Sequence, residues 1–262
     1  MIRWSEREGV LELMLDQPPA NEIGSQMLSG LENFLDEIEG TDARALIVYS
    51  ARERAFCAGA DLRELFAAID GRPYAAYRGE LANFIDRIHR VMDRLDALPL
   101  TTIGAVHGVC FGGGFELALT LDMLVADPTA RFCFPELRLG IVPGFGGVPR
   151  LERELPNAAI RDLLLSGRSY GAKKAANLGL VSQVVGRGQA LEVARGLAQQ
   201  VALFDPEVQA AAKAFIKALP VARLAEEKRL FLEMFRSERV VQALGRFVHS
   251  EDAMPYLPSE GR

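Results

Sequence analysis

Two glutamates could carry out acid–base chemistry, and each lies beside a glycine-rich stretch. Glu116 follows a run of three glycines that begins at Gly112, and Glu136 lies in the strongly apolar segment 132–147. Burial of a carboxyl group disfavours its charged form and raises its pKa, so that it can donate a proton near neutrality. The pair could therefore act as base and acid in one reaction.

Each glutamate also has a plain structural interpretation. Glu116 falls in the first turn of a predicted helix, where an acid complements the helix dipole. Glu136 could point to solvent, or it could pair with Arg138 or Arg150. The residues alone leave both interpretations open.

Two loops rich in small residues could bind an oxyanion. In residues 55–62, small side chains would let backbone N–H groups approach a ligand closely. Residues 108–119 lead into a helix, whose first amides have no partner within the helix. Together the two loops could form an oxyanion hole. Asp61 is equally well explained as the N-cap of a helix that begins near Leu62.

Several elements must position these residues. Alternation of apolar and polar residues predicts a strand over residues 9–15. Continuous apolar runs predict buried strands over residues 45–49, 101–106 and 123–126. Helical spacing covers residues 25–39, with Ser25 as the predicted N-cap and Gly40 as the predicted stop. The repeated order of strand, glycine-rich turn and helix indicates an α/β or mixed layered core.

The character of the chain changes near residue 190. From there only helical periodicity is found, in residues 190–202, 205–218, 222–236 and 238–248. We therefore expect a core domain over residues 1–190 and a C-terminal helical region over residues 191–262.

Composition excludes several classes of protein. Of 262 residues, 49% are hydrophobic and 25% charged, which is typical of a soluble globular protein and excludes a disordered chain. The formal net charge of −5 disfavours nucleic acid as the main partner. No segment is long and evenly apolar enough to predict a membrane span, and the N-terminus lacks the apolar stretch of a secretory signal.

The cysteines and histidines predict neither disulfides nor a metal site. Three cysteines, Cys57, Cys110 and Cys133, form no C-x-x-C pair, which fits a reducing compartment, and we expect the cytoplasm. The three histidines show no metal-ligand spacing. We expect neither a metal nor a cofactor of the protein itself.

The chain resembles the enoyl-CoA hydratase/isomerase family, also called the crotonase family, from about residue 8 to 186 and more loosely beyond. The matching motifs are residues 56–61 (FCAGAD), 112–118 (GGGFELA), 135–140 (PELRLG) and 143–147 (PGFGG). The resemblance implies a crotonase-like α/β fold: a spiral of β-β-α repeats with two roughly perpendicular sheets. It also implies a C-terminal helical region that mediates trimerisation.

The resemblance further implies an acyl thioester substrate, with the N–H groups of Ala60 and Gly113 around the thioester oxygen. Members that add water to a 2-enoyl thioester generally carry glutamate at both positions that match Glu116 and Glu136. The expected reaction is therefore interconversion of a 2-enoyl thioester and a 3-hydroxyacyl thioester. Glu116 would deprotonate the water that attacks C3, and Glu136 would protonate C2.

Further residues are expected to contact the substrate, and two of them, Phe66 and Tyr77, are aromatic residues of the segment 62–98, which is the part least similar to the family. The full set is Ala58, Asp61, Arg63, Phe66, Tyr77 and Gly112. The carrier of the acyl group is either CoA or the phosphopantetheine of an acyl carrier protein. In the tail, residues 247–256 lack the family's usual lysine and carry Glu251 and Asp252, which would repel the 3′-phosphate of CoA. Arg52, Arg54 and Arg63 flank the first loop and could bind phosphate or be solvated surface charge.

Four alternatives remain. The acyl group could be branched or carboxylated, of the glutaconyl type, which would need a cationic partner in the pocket. The main activity could be isomerisation. RNA binding is known among relatives, although the pI of about 5.4 and the lack of a basic, aromatic stripe oppose it. A purely structural trimer is also conceivable. A homo-oligomer, either a trimer or a dimer of trimers, is the expected assembly.

Overall fold

Strands in the middle of the chain alternate between two sheets. The computed structural model describes residues 2–250. The strands are β1 (Ile2–Arg7), β2 (Val10–Leu15), β3 (Ala45–Ser50), β4 (Ala55–Cys57), β5 (Thr101–Val106), β6 (Val109–Phe111), β7 (Met123–Ala126), β8 (Arg131–Cys133), β9 (Tyr170–Gly171) and β10 (Gln183–Val184). The helices are α1 (Ser25–Glu37), α2 (Leu62–Ile69), α3 (Tyr74–Asp96), α4 (Gly113–Ala118), α5 (Gly147–Glu154), α6 (Asn157–Ser166), α7 (Ala172–Asn177), α8 (Ala190–Val201), α9 (Pro206–Ile216), α10 (Val221–Met234) and α11 (Glu238–Val248), with a 3₁₀ helix over Glu136–Leu139. The chain order confirms the expected β-β-α units.

The larger sheet contains the four predicted strands. Its order is β1-β2-β3-β5-β7-β10, and all neighbours are parallel except the antiparallel pair β1–β2. In the middle of the sheet Ile47 pairs with Ile103, and both are fully buried. Strands buried on both faces appear in sequence as continuous apolar runs, which explains why β3, β5 and β7 could be predicted. Strand β2 could be predicted from its alternation instead.

The smaller sheet brings the glycine-rich loops together. Its order is β4-β6-β8-β9, and β4, β6 and β8 run parallel. The carboxyl ends of parallel strands lie at the same edge of a sheet. The loop after β4, the start of α4 after β6 and the 3₁₀ helix after β8 therefore meet at one edge. These segments contain Ala60, Gly113 and Glu136 respectively.

The ends of α1 differ from those predicted. Ser25 is the first helical residue, Gly24 is the N-cap without a side-chain bond, and the helix ends at Glu37, before Gly40. The backbone N–H of Ser25 donates instead to both carboxylate oxygens of Glu64 on α2, at 3.1 and 3.0 Å. A carboxylate from another helix thus takes the place of a local cap.

Asp61 is confirmed as the N-cap of α2. Its side chain accepts hydrogen bonds from the backbone N–H groups of Arg63 and Glu64, at 3.1 and 3.0 Å. Helix α4 is short and ends at Ala118. Glu116 lies in its first turn, as expected.

The C-terminal helices α8 to α11 coincide with the predicted segments to within two residues at each end. Helix α10 packs against α3 and α5, and α11 packs against α2 and the 3₁₀ helix. These helices therefore cover the elements that carry the glycine-rich loops. No helix within residues 2–250 combines the length and the apolar composition that a membrane crossing requires.

Candidate active site

A cavity of about 210 Å³ lies at the edge where the loops of the smaller sheet meet. Helices α2 and α3 form one wall, and the start of α4 and the 3₁₀ helix form the opposite side. Phe231 of α10 closes it from the C-terminal region. Both candidate glutamates, Glu116 and Glu136, line this cavity.

Glu116 is held by backbone amides. Its side chain is 2% exposed, and Oε1 accepts hydrogen bonds from the N–H groups of Phe145 and Gly147, each at 2.8 Å. A Cβ at residue 147 would lie 2.5 Å from Cγ of Glu116, so only glycine allows this approach. Burial raises the pKa of Glu116 to about 7, although the amides and the Arg150 guanidinium oppose the shift.

Glu136 is buried without a cationic partner. The side chain is 9% exposed, and Arg138 and Arg150 are bonded elsewhere, so neither alternative interpretation of this residue holds. Its Oε2 is buried and receives no hydrogen bond within residues 2–250. Burial, followed by the negative charges of Glu116 and Glu227, raises the pKa of Glu136 well above its usual value.

Gly112 allows Glu136 to approach the backbone. The glycine has a φ of +48°, and a Cβ there would lie 2.5 Å from Oε1 of Glu136. L-residues rarely adopt this backbone conformation, and no larger residue fits the contact. The glycine before α4 therefore determines where the second carboxyl group lies.

The amides of Ala60 and Gly113 lie close together. A Cβ at Gly113 would be 3.4 Å from the Ala60 nitrogen, and one at Gly59 would be 3.3 Å from the Gly113 nitrogen. Gly113 is the first residue of α4, so its N–H has no partner within the helix. Neither amide donates a hydrogen bond to any group in the part of the chain that the structure describes. Two free N–H groups at one edge of the cavity can bind a carbonyl or enolate oxygen.

Comparison with known proteins identifies the relatives of this chain. The family model for enoyl-CoA hydratase/isomerase matches residues 5–254. The chain belongs to the enoyl-CoA hydratase/isomerase family. It is 36% identical over 254 residues to the carnitinyl-CoA dehydratase of Proteus mirabilis strain HI4320, covering 97% of this chain and 92% of that protein. It is 35% identical to the probable enoyl-CoA hydratase of Rhizobium meliloti strain 1021, covering 95% of each.

Solved structures of family members have the same fold. The enoyl-CoA hydratase of Bacillus anthracis superposes with a TM-score of 0.76 at 28% identity, covering 94% of this chain and 95% of that one. The carnitinyl-CoA dehydratase of Mycobacterium avium 104 gives a TM-score of 0.79 at 27% identity, covering 96% and 98%. The crotonase fold predicted from the motifs is confirmed.

Most of the residues predicted to contact substrate do line the cavity of this family member. They are Ala58, Asp61, Tyr77 and Gly112, together with Ala60 and Gly113. Tyr77 presents its ring to the cavity and donates its hydroxyl proton to the carbonyl of Phe235, at 2.8 Å.

Arg63 and Phe66 are not among the residues that line the cavity, so their contact with the substrate stays a prediction. Arg63 is exposed, and its backbone N–H bonds Asp61. The ring of Phe66 packs edge to face against His249, with ring centroids 5.6 Å apart. Phe66 instead faces α11, where a Cβ at Gly245 would lie 3.2 Å from its ring. The residues of α2 that line the cavity are Leu62, Glu64, Leu65, Ala68 and Ile69.

The charged residues of the cavity are all acidic. Besides the two central glutamates, the lining contains Asp61, Glu64 and Glu80, and it contains no lysine or arginine from residues 2–250. Arg52 is bonded to Asp16 rather than directed into the cavity. The tail residues 251–256, with the two acids noted in the sequence, lie outside the described residues.

Glu227 is a functional candidate that the sequence analysis missed. It is 6% exposed, and its carboxylate accepts from the N–H groups of Gly146 at 2.7 Å and Val148 at 2.9 Å. In sequence it lies within a charged run and resembles solvated surface. The available signal was its helical spacing from Leu224 and Phe231, because all three share the buried face of α10.

Proposed function

We propose that the protein interconverts a 2-enoyl-CoA thioester and the corresponding 3-hydroxyacyl-CoA thioester. The observation that carries the proposal is the arrangement of two buried glutamates, both with raised pKa, in one cavity beside two unbonded amides. Membership of the enoyl-CoA hydratase/isomerase family supports it, as do the names of the relatives, which are hydratases and dehydratases of CoA thioesters.

In this proposal Glu116 is the general base. With a pKa of about 7 it is ionised in a large part of the molecules at neutral pH, and it can take a proton from water as the oxygen attacks C3. Its Oε1 is held by the Phe145 and Gly147 amides, so the carboxylate has a fixed orientation toward the cavity. Fixed geometry of this kind lowers the barrier by removing the entropy of alignment.

Glu136 is the proposed general acid. Burial raises its pKa well above the usual value, which favours the protonated form that can deliver a proton to C2. In the reverse direction the two residues exchange roles. The N–H groups of Ala60 and Gly113 would stabilise the thioester oxygen as it gains enolate character, a contribution of the order of 10²–10³ in rate per donor.

The acidic lining supports a specific second candidate for the acyl group. A carboxylated, glutaconyl-type acyl group requires a cationic partner, and the described cavity lining contains none. An acyl group with a quaternary ammonium fits better, since Tyr77 and Phe84 can contribute cation–π contacts near Glu80. Glu80 is also bonded to Arg72 at 2.8 and 2.9 Å, which reduces its pull on a second cation. The carnitinyl-CoA dehydratases among the relatives support this candidate.

We also propose that the active form is a homo-oligomer formed through α9. No residue of this helix is buried, and Val208, Phe215 and Ile216 are 68%, 89% and 79% exposed. Exposed apolar residues grouped on one element are typical of a contact surface, and a second copy of this chain is the proposed occupant. Phe215→Glu should then lower the mass measured by light scattering, whereas a monomeric wild-type protein would contradict the proposal.

The hydratase proposal is tested by following the loss of the conjugated thioester absorbance with crotonyl-CoA and its trimethylammonium analogue. Glu116→Gln and Glu136→Gln should each lower kcat at least about 10²-fold with an unchanged circular dichroism spectrum. Glu226→Gln, an exposed neighbour on α10, is the matched control and should have wild-type kcat. The same acyl group on an acyl carrier protein distinguishes the carrier. Near-normal turnover by either catalytic variant, or no wild-type turnover of any of these substrates, would contradict the proposal.

A further inference from the structure

Four consecutive backbone amides are divided between two buried carboxylates. The N–H groups of Phe145 and Gly147 donate to Glu116, whereas those of Gly146 and Val148 donate to Glu227. Each oxygen of Glu227 takes one of these bonds. Glu116 and Glu227 therefore accept hydrogen bonds from alternate peptide groups of the same short segment, residues 145–148.

Two carbonyl groups, one just before this segment and one within it, are also bonded by side chains. The Nε2 atom of His89 lies 2.9 Å from the carbonyl oxygen of Gly144, and Arg150 donates to the carbonyl of Gly146 at 3.0 Å. Gly146 has a φ of +92°, and a Cβ there would lie 2.0 Å from an Arg150 nitrogen. The segment therefore has little freedom to move while these contacts persist.

Glu227 reaches this segment from a distant part of the chain. It lies on α10, about eighty residues further along, and it does not line the cavity. The next turn of the same helix carries Phe231, which does line the cavity. Helix α10 is thus linked to Glu116 through Glu227. The two amides that donate to Glu227 lie next to the two amides that donate to Glu116.

We propose that Glu227 is a positioning residue, which fixes residues 145–148 so that their amides hold Glu116 in its reactive orientation. The inference rests on the proposed function in assigning Glu116 as the base. The simpler interpretation is that Glu227 only satisfies the first amides of α5 and so contributes stability. The two interpretations differ in what they predict for the amides that bond Glu116 and for turnover per folded molecule.

The test uses the full chain with Glu227→Gln and Glu227→Ala, and Glu226→Gln as the control. Glutamine keeps an acceptor for one amide, and alanine keeps none. We expect kcat for crotonyl-CoA to fall about 10-fold in the first and about 10²-fold in the second, with KM within about threefold, because misplacement by 1 Å can cost that much in rate. Amide hydrogen exchange of Phe145 and Gly147 should accelerate in the same order.

A purely structural role predicts a different pattern. The melting temperature would fall, while kcat per folded molecule and the exchange of the Phe145 and Gly147 amides would match the control, and that result would overturn the proposal. If the alanine variant does not fold, the glutamine variant supplies the same comparison. If wild type does not hydrate the thioester, the proposed function fails, and unchanged or accelerated exchange in Glu227→Gln still decides whether Glu227 fixes these amides.

Discussion

Replacement of Gly112 by alanine should move the proposed acid without removing it. The new Cβ would lie 2.5 Å from Oε1 of Glu136, whereas such carbon–oxygen contacts are normally about 3.3–3.6 Å. Because 3.9 Å separates it from Pro135, the carboxyl group is the part that must shift, by about 1 Å. A displacement of that size lowers kcat about 10²-fold. The φ of +48° adds strain of about 1–3 kcal/mol.

The assay separates the displacement from the strain. Gly40→Ala is the matched control, because Gly40 has a φ of +75° but no atom within 4 Å of a new Cβ. Both variants should melt below wild type by about 2–4 °C per kcal/mol of strain. Only Gly112→Ala should lose turnover of crotonyl-CoA, and KM should change little. If the two variants retain similar kcat, the close approach of Glu136 to the backbone is irrelevant to the chemistry.

Four other outcomes follow from the buried charges and hydroxyls. kcat/KM should rise with pH through about 7, because Glu116 must lose its proton to act as base, and a flat profile over pH 6–8 would exclude that role. The raised pKa of Glu136 favours the folded state below about pH 4.3, its unfolded pKa, and that stability is lost as pH rises toward the folded pKa. Urea titrations should therefore find Glu136→Gln less destabilised by alkaline pH than wild type. Asp96 is fully buried and pairs with two arginines and a lysine, so Asp96→Asn should lose about 3–5 kcal/mol, against under about 1 kcal/mol for the exposed Asp36→Asn. Tyr77→Phe should lose about 1 kcal/mol with kcat unchanged, and a large loss of kcat would instead place the hydroxyl in the reaction.

The larger sheet could be predicted from sequence, whereas the smaller one could not. Strands β3, β5 and β7 are four to six residues long and are buried along most of their length, so each leaves a continuous apolar run. Strands β4, β6 and β8 have three residues each, too few for any periodicity to emerge from the flanking loops. Their existence depends on pairing with one another, which is a tertiary property.

The residue that caps a helix could be predicted where its hydrogen bonds are local. Asp61 bonds amides two and three residues ahead, and this relation is present in the sequence itself. The first amide of α1 is instead satisfied by Glu64, which lies thirty-nine residues away. No pattern around Ser25 carries that information, so the predicted cap was displaced by one residue.

Residues of the candidate site could likewise be predicted only where the local sequence shows their surroundings. Glu116 and Glu136 could be identified from the sequence because each lies next to glycines or apolar residues, where a carboxylate is unexpected. Glu227 could not be identified in the same way, because it lies within a charged run and only the orientation of α10 buries its side chain. Phe66 was predicted as one of the aromatic residues that could line the pocket, but the orientation of α2 directs its ring toward Gly245 of α11. Residue type suggested acid–base chemistry, whereas the orientation of the helices determines which side chains reach the cavity.

The two central glutamates are both buried but differ in the hydrogen bonds that they receive, and the difference suits their proposed roles. Glu116 receives two amide hydrogen bonds, which favour its charged form and limit the rise of its pKa to about 7. Glu136 has a buried oxygen without a hydrogen bond from any residue in the range 2–250, and its pKa rises much further. An unsatisfied buried carboxyl oxygen costs about 1–3 kcal/mol, which an apolar side chain at the same position would avoid. Retention of a carboxyl group there is explained if its proton is transferred during the reaction. The different surroundings thus favour ionisation of Glu116 over that of Glu136, which is the division of roles that the proposed hydration of an enoyl thioester needs.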